Sequence, residues 1–203
     1  MTKIKITRLN TEDTDKIIEV LFAAFEQDPL MYYFFGNEYQ NLAKYVMQYI
    51  CHQAQLSDLI LLGASIEEEL QGVALITPSE IVARDKHEAV AKLDEQLATA
   101  VGEAVVIRME KYFQVKEVNK PKQTHFYLDI LGVMPKSQGQ GVGKALIKTL
   151  HKMSEESPQS CGVALDTENE SNLNFYQRLG YSISTITNLD KIKIWSMFRS
   201  DPI

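Results

Sequence analysis

Residues 133–144 read Val-Met-Pro-Lys-Ser-Gln-Gly-Gln-Gly-Val-Gly-Lys, with glycine at 139, 141 and 143. The apolar segment before this loop is predicted as a strand, and the segment from Gly141 to Met153 has the apolar spacing of a helix. Because glycine has no Cβ, the N–H groups of such a loop can approach a ligand closely. The first N–H groups of the helix add unpaired donors and a positive dipole end. The loop therefore predicts a phosphate or pyrophosphate site.

Two common phosphate loops fail on spacing. A Walker loop needs Ser or Thr after its Gly-Lys pair, but Gly143-Lys144 is followed by Ala145. A dinucleotide fingerprint needs Gly-x-Gly-x-x-Gly, and the last position is Lys144 or Leu146 when counted from either earlier glycine. These failures weaken the hypothesis that the loop binds the phosphates of a nucleotide. The pattern that remains is Gln-x-x-Gly-x-Gly, formed by Gln138, Gly141 and Gly143.

Composition narrows the class of protein. The chain has 203 residues and 45% hydrophobic residues, with 21 Lys plus Arg against 27 Asp plus Glu, a net charge of −6. The acidic balance argues against nucleic-acid binding, and the lack of a long apolar run or a secretory leader argues against a membrane. Cys51 and Cys161 are expected as reduced thiols, and the histidine spacing predicts no metal site. We expect a cytoplasmic protein.

Residue patterns predict the element order β-α-α-β-β-α-β-α-β-α-β-β. Such an order implies an α/β sheet covered by helices, with residues 1–203 forming a single domain. Residues 79–118 are predicted as a helical insertion before the central strand, broken near Gly102.

The central strand has two distinct faces. Phe126, Leu128 and Ile130 alternate along it and are expected to face the core. His125, Tyr127 and Asp129 occupy the other face, which either lines a cleft or is an ordinary solvated sheet face.

A second group of candidates follows the next strand. Asn172 and Tyr176 are four residues apart on a short helix and share a face. Ser171 is expected to cap that helix and Gly180 to end it. Taken alone, Tyr176 is also compatible with core packing and a satisfied hydroxyl.

These motifs together resemble the GNAT superfamily of acetyl-CoA-dependent N-acetyltransferases. The shared features are the Gln-Gly-Gln-Gly-Val-Gly loop, the strand end Leu-Asp-Thr-Glu-Asn and the helix Asn-Phe-Tyr-Gln-Arg-Leu-Gly-Tyr. The likeness covers residues 125–198, and the N-terminal half by element order only. Within the superfamily the pattern is most similar to the branch that includes puromycin N-acetyltransferase. The resemblance implies a mixed, mostly antiparallel sheet of about seven strands flanked by helices on both faces.

The resemblance also implies roles for individual residues. Leu131 and Val133 would pair with the pantetheine arm, and Asn172 would hydrogen-bond near the cofactor. Tyr176 would protonate the departing thiolate, because a phenol can donate its proton to a thiolate through a short hydrogen bond. The CoA pyrophosphate would be held by Gln138, Gly139, Gln140, Gly141, Val142, Gly143 and Lys144.

The general base departs from the family pattern. Several members carry a glutamate eleven residues before the loop glutamine, and that position here is Tyr127. Asp129, His125 or a water relay could replace it, of which we favour Asp129. A structural hydrogen bond to the neighbouring strand or helix would explain Asp129 nearly as well. The CoA 3′-phosphate has four candidate partners, namely Lys136, Lys144, Lys148 and Arg178.

The expected reaction is direct, sequential transfer of an acetyl group from acetyl-CoA to the primary amine of a small molecule. Two alternatives stay open: a protein or peptide amine as acceptor, and an inactive module that binds acyl-CoA for regulation. The oligomeric state is open as well, a homodimer included. Tyr32, Tyr33, Phe34 and Phe35 could wall the acceptor pocket, although core packing is expected for at least half of them.

Overall fold

The computed structural model describes residues 3–57, 59–80 and 87–202. Seven strands form one sheet in the spatial order β1-β2-β3-β4-β5-β7-β6. The strands are β1 (Ile4–Arg8), β2 (Ile60–Ile66), β3 (Glu69–Thr77), β4 (Phe126–Val133), β5 (Gly162–Thr167), β6 (Ser182–Leu189) and β7 (Ile192–Ser200). β4 and β5 run parallel and the other neighbours antiparallel, so the sheet is mixed and mostly antiparallel, as predicted.

Helices cover both faces of this sheet, which makes a single α/β domain. The helices are α1 (Thr14–Phe25), α2 (Pro29–Phe35), α3 (Tyr39–Leu56), α4 (His87–Val101), α5 (Glu103–Asn119), α6 (Val142–Glu155) and α7 (Leu173–Gln177). On one face α6 buries Leu146, Ile147 and Leu150 completely. On the other face α1 and α3 form a core with β2 and β3. None of the helices in the described ranges is both long enough and apolar enough to cross a membrane.

The helices predicted within residues 79–118 are present as α4 and α5. Gly102 separates them with φ +82°, and its N–H donates to the Ala98 carbonyl at 2.9 Å, so the predicted break is confirmed. Residues 79 and 80 of that prediction form a bend rather than a helix, and residues 81–86 lie outside the described residues. α5 packs against α2, where Phe34 and Tyr112 meet edge to face at 5.6 Å. This packing places α5 over the end of the sheet at which the candidate site lies.

A β-bulge in β4 changes the predicted faces of that strand. Leu75 pairs with Ile130 and Ile76 with Leu128, so Asp129 is the extra residue. Phe126 and Leu128 face α6, as expected. The prediction that Ile130 shares this face was wrong: Ile130 packs with the α1 and α3 core. A bulge shifts the alternation by one residue, which residue patterns alone do not reveal.

β4 and β5 separate soon after they begin to pair. Their register covers Phe126–Leu128 against Val163–Leu165. Beyond that point β4 continues to Val133 and stays paired with β3. The β5 side of residues 129–133 is therefore an open strand edge, whose N–H and C=O groups can pair with an extended ligand.

The turn after β5 differs from the prediction in its capping residue. Asn169 accepts a hydrogen bond from the Ser171 N–H at 3.1 Å, and a short 3-10 turn precedes α7. Ser171 is therefore not the cap, because the turn begins two residues earlier than the helical spacing suggests. Gly180 ends the segment with φ +93°, as predicted.

Candidate active site

A cleft of about 800 Å³ opens at the point where β4 and β5 separate. The end of α1 and the following turn form one side, and the start of α6 and α7 form the other. Ten of the predicted site residues line it: Leu131, Val133, Gln138, Gly139, Gly141, Val142, Gly143, Lys144, Asn172 and Tyr176. The structure thus brings two separate motifs to one cavity.

The glycine loop has the backbone geometry of an anion cradle. Gly139 and Gly141 have φ of +75° and +89°, which residues with a Cβ rarely adopt. Gly141 is also the N-cap of α6, and its carbonyl accepts from the Ala145 N–H at 2.9 Å. The N–H groups of residues 142–144 precede this first bond and have no acceptor within the helix. They lie on the cleft wall, where the helix dipole favours negative charge.

Gly143 leaves room for a ligand beside the loop. A Cβ at this position would lie 3.5 Å from Val133 and Phe175 side-chain atoms and 3.7 Å from Leu131. All three neighbours line the cleft. A larger side chain at 143 would therefore narrow the passage between the loop and the open edge of β4.

Two groups of predicted residues lie elsewhere. Gln140 is outside the cleft, and its side-chain nitrogen donates to the Lys136 carbonyl at 2.9 Å. Of the four candidates for binding the 3′-phosphate, only Lys144 lines the cleft. Lys136 contacts Glu69 at 3.4 Å, and Arg178 donates to the Asn174 carbonyl at 3.1 Å.

Tyr176 is buried, with its ring against Phe175 and Tyr181 at centroid distances of 5.2 and 5.8 Å. In the described part of the chain, no group hydrogen-bonds to its hydroxyl. Burial, then the charges of Glu168 and Asp28, raise the pKa of Tyr176 well above its ordinary value. The hydroxyl is therefore protonated at neutral pH and available to a ligand in the cleft.

Asp129 lies outside the cleft wall and is held by two neighbours. Lys116 of α5 donates to one carboxylate oxygen at 2.7 Å, and Thr77 of β3 donates to the other at 2.6 Å. The Lys116 and Asp129 side chains are only 12% and 19% exposed. His125, the other strand candidate, sits at 2.5 Å from the Gln123 carbonyl. Asp129 thus makes the structural hydrogen bonds that the sequence left open as its alternative role.

Tyr127 occupies the position of the missing strand glutamate and is a hydrogen-bond donor. Its hydroxyl donates to Asp166 at 2.5 Å, and the Lys116 ammonium lies 4.3 Å from its ring centroid. Burial, with the charge of Asp166, raises the pKa of Tyr127 above its ordinary value. Tyr127 is therefore neutral and fixes Asp166 rather than acting as a base.

Two acidic residues near the cleft were missed as site candidates. Asp28 lines the cleft as the N-cap of α2, accepting from the Leu30 N–H at 2.9 Å, and burial raises its pKa. Glu168 follows β5 and accepts from the Tyr112 hydroxyl at 3.0 Å. Burial, with the charges of Asp166 and Asp28, raises the pKa of Glu168 to about 8. For Glu168, the feature of the sequence that could have indicated a site residue is its position directly after β5, the strand that runs parallel to β4.

The four aromatic residues of α2 do not wall the cleft. Phe34 and Phe35 are buried in the core with α3 and α5, as expected for half of the set. Tyr33 donates to Asp190 at 2.9 Å, and Tyr32 is 69% exposed. None of the four is among the cleft-lining residues.

Residues 84–183 match the family model described as acetyltransferase (GNAT) domain. The whole fold is similar to that of a Corynebacterium glutamicum protein described as histone acetyltransferase HPA2 and related acetyltransferase. That likeness has a TM-score of 0.75 and 19% identity, and it covers 100% of this chain and 98% of the other.

Two further solved structures share the fold. A PaiA N-acetyltransferase from Thermoplasma acidophilum, in complex with coenzyme A, matches with a TM-score of 0.57 and 15% identity, covering 98% of this chain and 99% of the other. A Drosophila melanogaster polyamine N-acetyltransferase matches with a TM-score of 0.59 and 15% identity, covering 98% and 100%. The segment that the family model matches contains the glycine loop and Tyr176, and the chain has a GNAT-like fold.

Proposed function

We propose that the protein transfers an acetyl group from acetyl-CoA to the primary amine of a small molecule. The observation that carries this proposal is the meeting of three parts in one cleft: the anion cradle before α6, the open edge of β4 and the unengaged hydroxyl of Tyr176. CoA needs such a sequence of sites. Its pyrophosphate suits the N–H groups of residues 142–144, its amide-bearing arm suits Leu131 and Val133, and Lys144 can meet a phosphate.

Tyr176 would act as the general acid. When the acceptor nitrogen attacks the acetyl carbon and the C–S bond breaks, the hydroxyl would donate its proton to sulfur. The carboxylates of Glu168 and Asp28 oppose a lasting tyrosinate. The proton therefore has to return to Tyr176 within the same turnover, and Asn172 on the adjoining turn is positioned to hydrogen-bond the bound substrate.

The surroundings of the cleft favour a cationic acceptor. Asp28 and Glu168 both lie near Tyr176, and the carboxylate form of either side chain attracts an alkylammonium ion. The pattern shared with the puromycin N-acetyltransferase branch and the fold shared with a polyamine N-acetyltransferase support an amine acceptor of low molecular mass.

The test is a panel of amines with acetyl-CoA, following release of free thiol, together with calorimetric titration of CoA. The panel should include alkylamines, a polyamine, puromycin and a peptide with a free N-terminus. We expect CoA binding and faster thiol release with at least one small amine. Transfer to the peptide alone would support the protein-acceptor alternative, CoA binding without transfer the inactive module, and no CoA binding at millimolar ligand would refute the proposal.

A further inference from the structure

Three carboxylates lie near the separation of β4 and β5, and they differ in what already engages them. Asp129 has both oxygens bound, one by Lys116 and one by Thr77. Asp166 is held by the Tyr127 hydroxyl at 2.5 Å and stands opposite Ser196 in the ladder between β5 and β7. Both therefore belong to the packed interior of the sheet and α5.

Glu168 is held less completely and, although it does not itself line the cleft, its charge acts on Tyr176. One of its oxygens accepts from Tyr112, while the other has no hydrogen-bond partner among the described residues. Within those residues, the one buried side-chain polar atom without a partner is Ser196 Oγ, so the second Glu168 oxygen keeps solvent contact. The next residue, Asn169, lines the cleft, and the Glu168 charge acts on Tyr176.

From this arrangement we propose that Glu168, rather than Asp129, is the proton acceptor for the incoming amine, an inference that rests on the proposed acetyl transfer. The free carboxylate oxygen takes one proton from the ammonium ion, which leaves a lone pair on nitrogen. That pair forms the C–N bond, the C–S bond breaks, and sulfur takes the Tyr176 proton. The second proton on nitrogen restores Tyr176, and Glu168 releases its proton to solvent.

The charge environment suits Glu168 to this task. The groups that act on it are Asp28 on the turn before α2, Tyr112 and Lys116 on α5 and Asp166 on β5. Its own charge acts in turn on Tyr127 of β4 and Tyr176 of α7. Burial and the two aspartates raise the pKa of Glu168 to about 8, against the opposing effects of Tyr112 and Lys116. An alkylammonium has a pKa of about 10, so proton transfer to Glu168 is uphill by about two pH units instead of about six for an ordinary carboxylate.

The sign of the pH dependence follows from the base role. Glu168 accepts a proton only as a carboxylate, so kcat/KM should rise as the pH increases through about 8. A bound ammonium stabilises the carboxylate and moves the corresponding limb of kcat to lower pH.

The test compares Glu168→Gln with Glu170→Gln, an exposed carboxylate two residues further on. For ethylamine we expect Glu168→Gln to lower kcat/KM by about 10²- to 10⁴-fold and to lose the rising limb, with CoA affinity unchanged. Glu170→Gln should behave as wild type. Trifluoroethylamine is already neutral at pH 8, so its transfer should suffer far less in the Glu168 variant. A merely structural role would slow both amines equally.

Each outcome decides between the accounts. A Glu168→Gln enzyme with the wild-type rate and pH limb, or with equal losses for both amines, would overturn the base role. Loss of the limb in Asp129→Asn instead would return the role to Asp129. If Glu168→Gln does not fold, the wild-type profiles serve: a limb near pH 8 with ethylamine and none with trifluoroethylamine supports the inference, and any other pair of profiles refutes it. A wild type inactive toward every amine refutes the proposed function itself.

Discussion

The wall of the cleft at the start of α6 consists of backbone and small residues, whereas the wall at the end of β5 is surrounded by ionisable side chains. At α6 the useful groups are N–H donors that the glycines leave accessible, and their charge does not change with pH. Near β5 the useful groups are Tyr176, Glu168 and Asp28, each with a raised pKa. The first wall suits the pyrophosphate of the proposed substrate, CoA, whose charge is constant, and the second wall suits the proposed proton transfer.

This difference teaches how the two halves of a transfer site are specified. Backbone recognition depends on local glycine spacing, so one short segment encodes it. The ionisable wall depends on residues from α2, α5, β4, β5 and α7 that meet only in the folded chain. Substitutions should therefore separate into those that change CoA affinity and those that change the rate of transfer.

The largest effect is expected for Tyr176→Phe. It removes the proton donor while keeping the ring that packs on Phe175 and Tyr181, so kcat should fall about 10²- to 10³-fold with little change in CoA affinity. Steady-state kinetics and CoA calorimetry measure the two quantities. Tyr45→Phe, which removes a hydroxyl from the partly exposed Tyr45 of α3, is the control. An unchanged kcat would exclude Tyr176 as the acid.

Asp129→Asn should mainly affect stability. It leaves the nearly buried Lys116 ammonium without its charged partner, so the free energy of unfolding should fall by about 1–3 kcal/mol. Denaturant unfolding measures this, with Glu117→Gln as a control that breaks an exposed pair with Lys120 and should cost at most about 0.5 kcal/mol. Equal small costs for both variants would contradict the structural role of Asp129.

Gly143→Val should weaken the binding of CoA without changing the groups proposed to transfer protons. The branched side chain would narrow the passage between the loop and Leu131 and Val133, so the CoA dissociation constant should rise about tenfold, or about 1.4 kcal/mol. Gly143→Ala is the matched control, because its Cβ would make only ordinary contacts at 3.5 Å. Wild-type affinity in the valine variant would show that CoA does not pass beside residue 143.

Lys144→Ala should have the smallest effect. An exposed ammonium at the cleft contributes weakly to phosphate binding, so CoA affinity should fall about two- to fivefold at low salt and less at high salt. Lys148→Ala, one helical turn further on and outside the cleft, should leave affinity unchanged. A larger loss from the Lys148 variant would assign the phosphate contact to that residue.

The sequence was informative where recognition is local. The glycines at 139, 141 and 143 and the spacing of Asn172 and Tyr176 predicted two segments that the structure places at one cleft, because loop and helix geometry depend on neighbouring residues. The face of Ile130 was not predictable, since the bulge at Asp129 arises from pairing with β3. The Lys116 contact with Asp129 and the Tyr112 contact with Glu168 also depend on how α5 packs, which no spacing within either segment encodes.

The most direct test of the account is the fate of a labelled acetyl group. The enzyme is mixed with a slight molar deficit of ¹³C-acetyl-CoA and an excess of an amine that the panel identifies. Mass spectrometry then measures the label on the amine, on the protein and in acetate. The account predicts one labelled acetyl group on the amine for each CoA thiol released, with no acetyl group on the protein at any time. Labelled acetate in place of acetylated amine, or an acetylated protein formed before the product, would contradict direct transfer in this cleft.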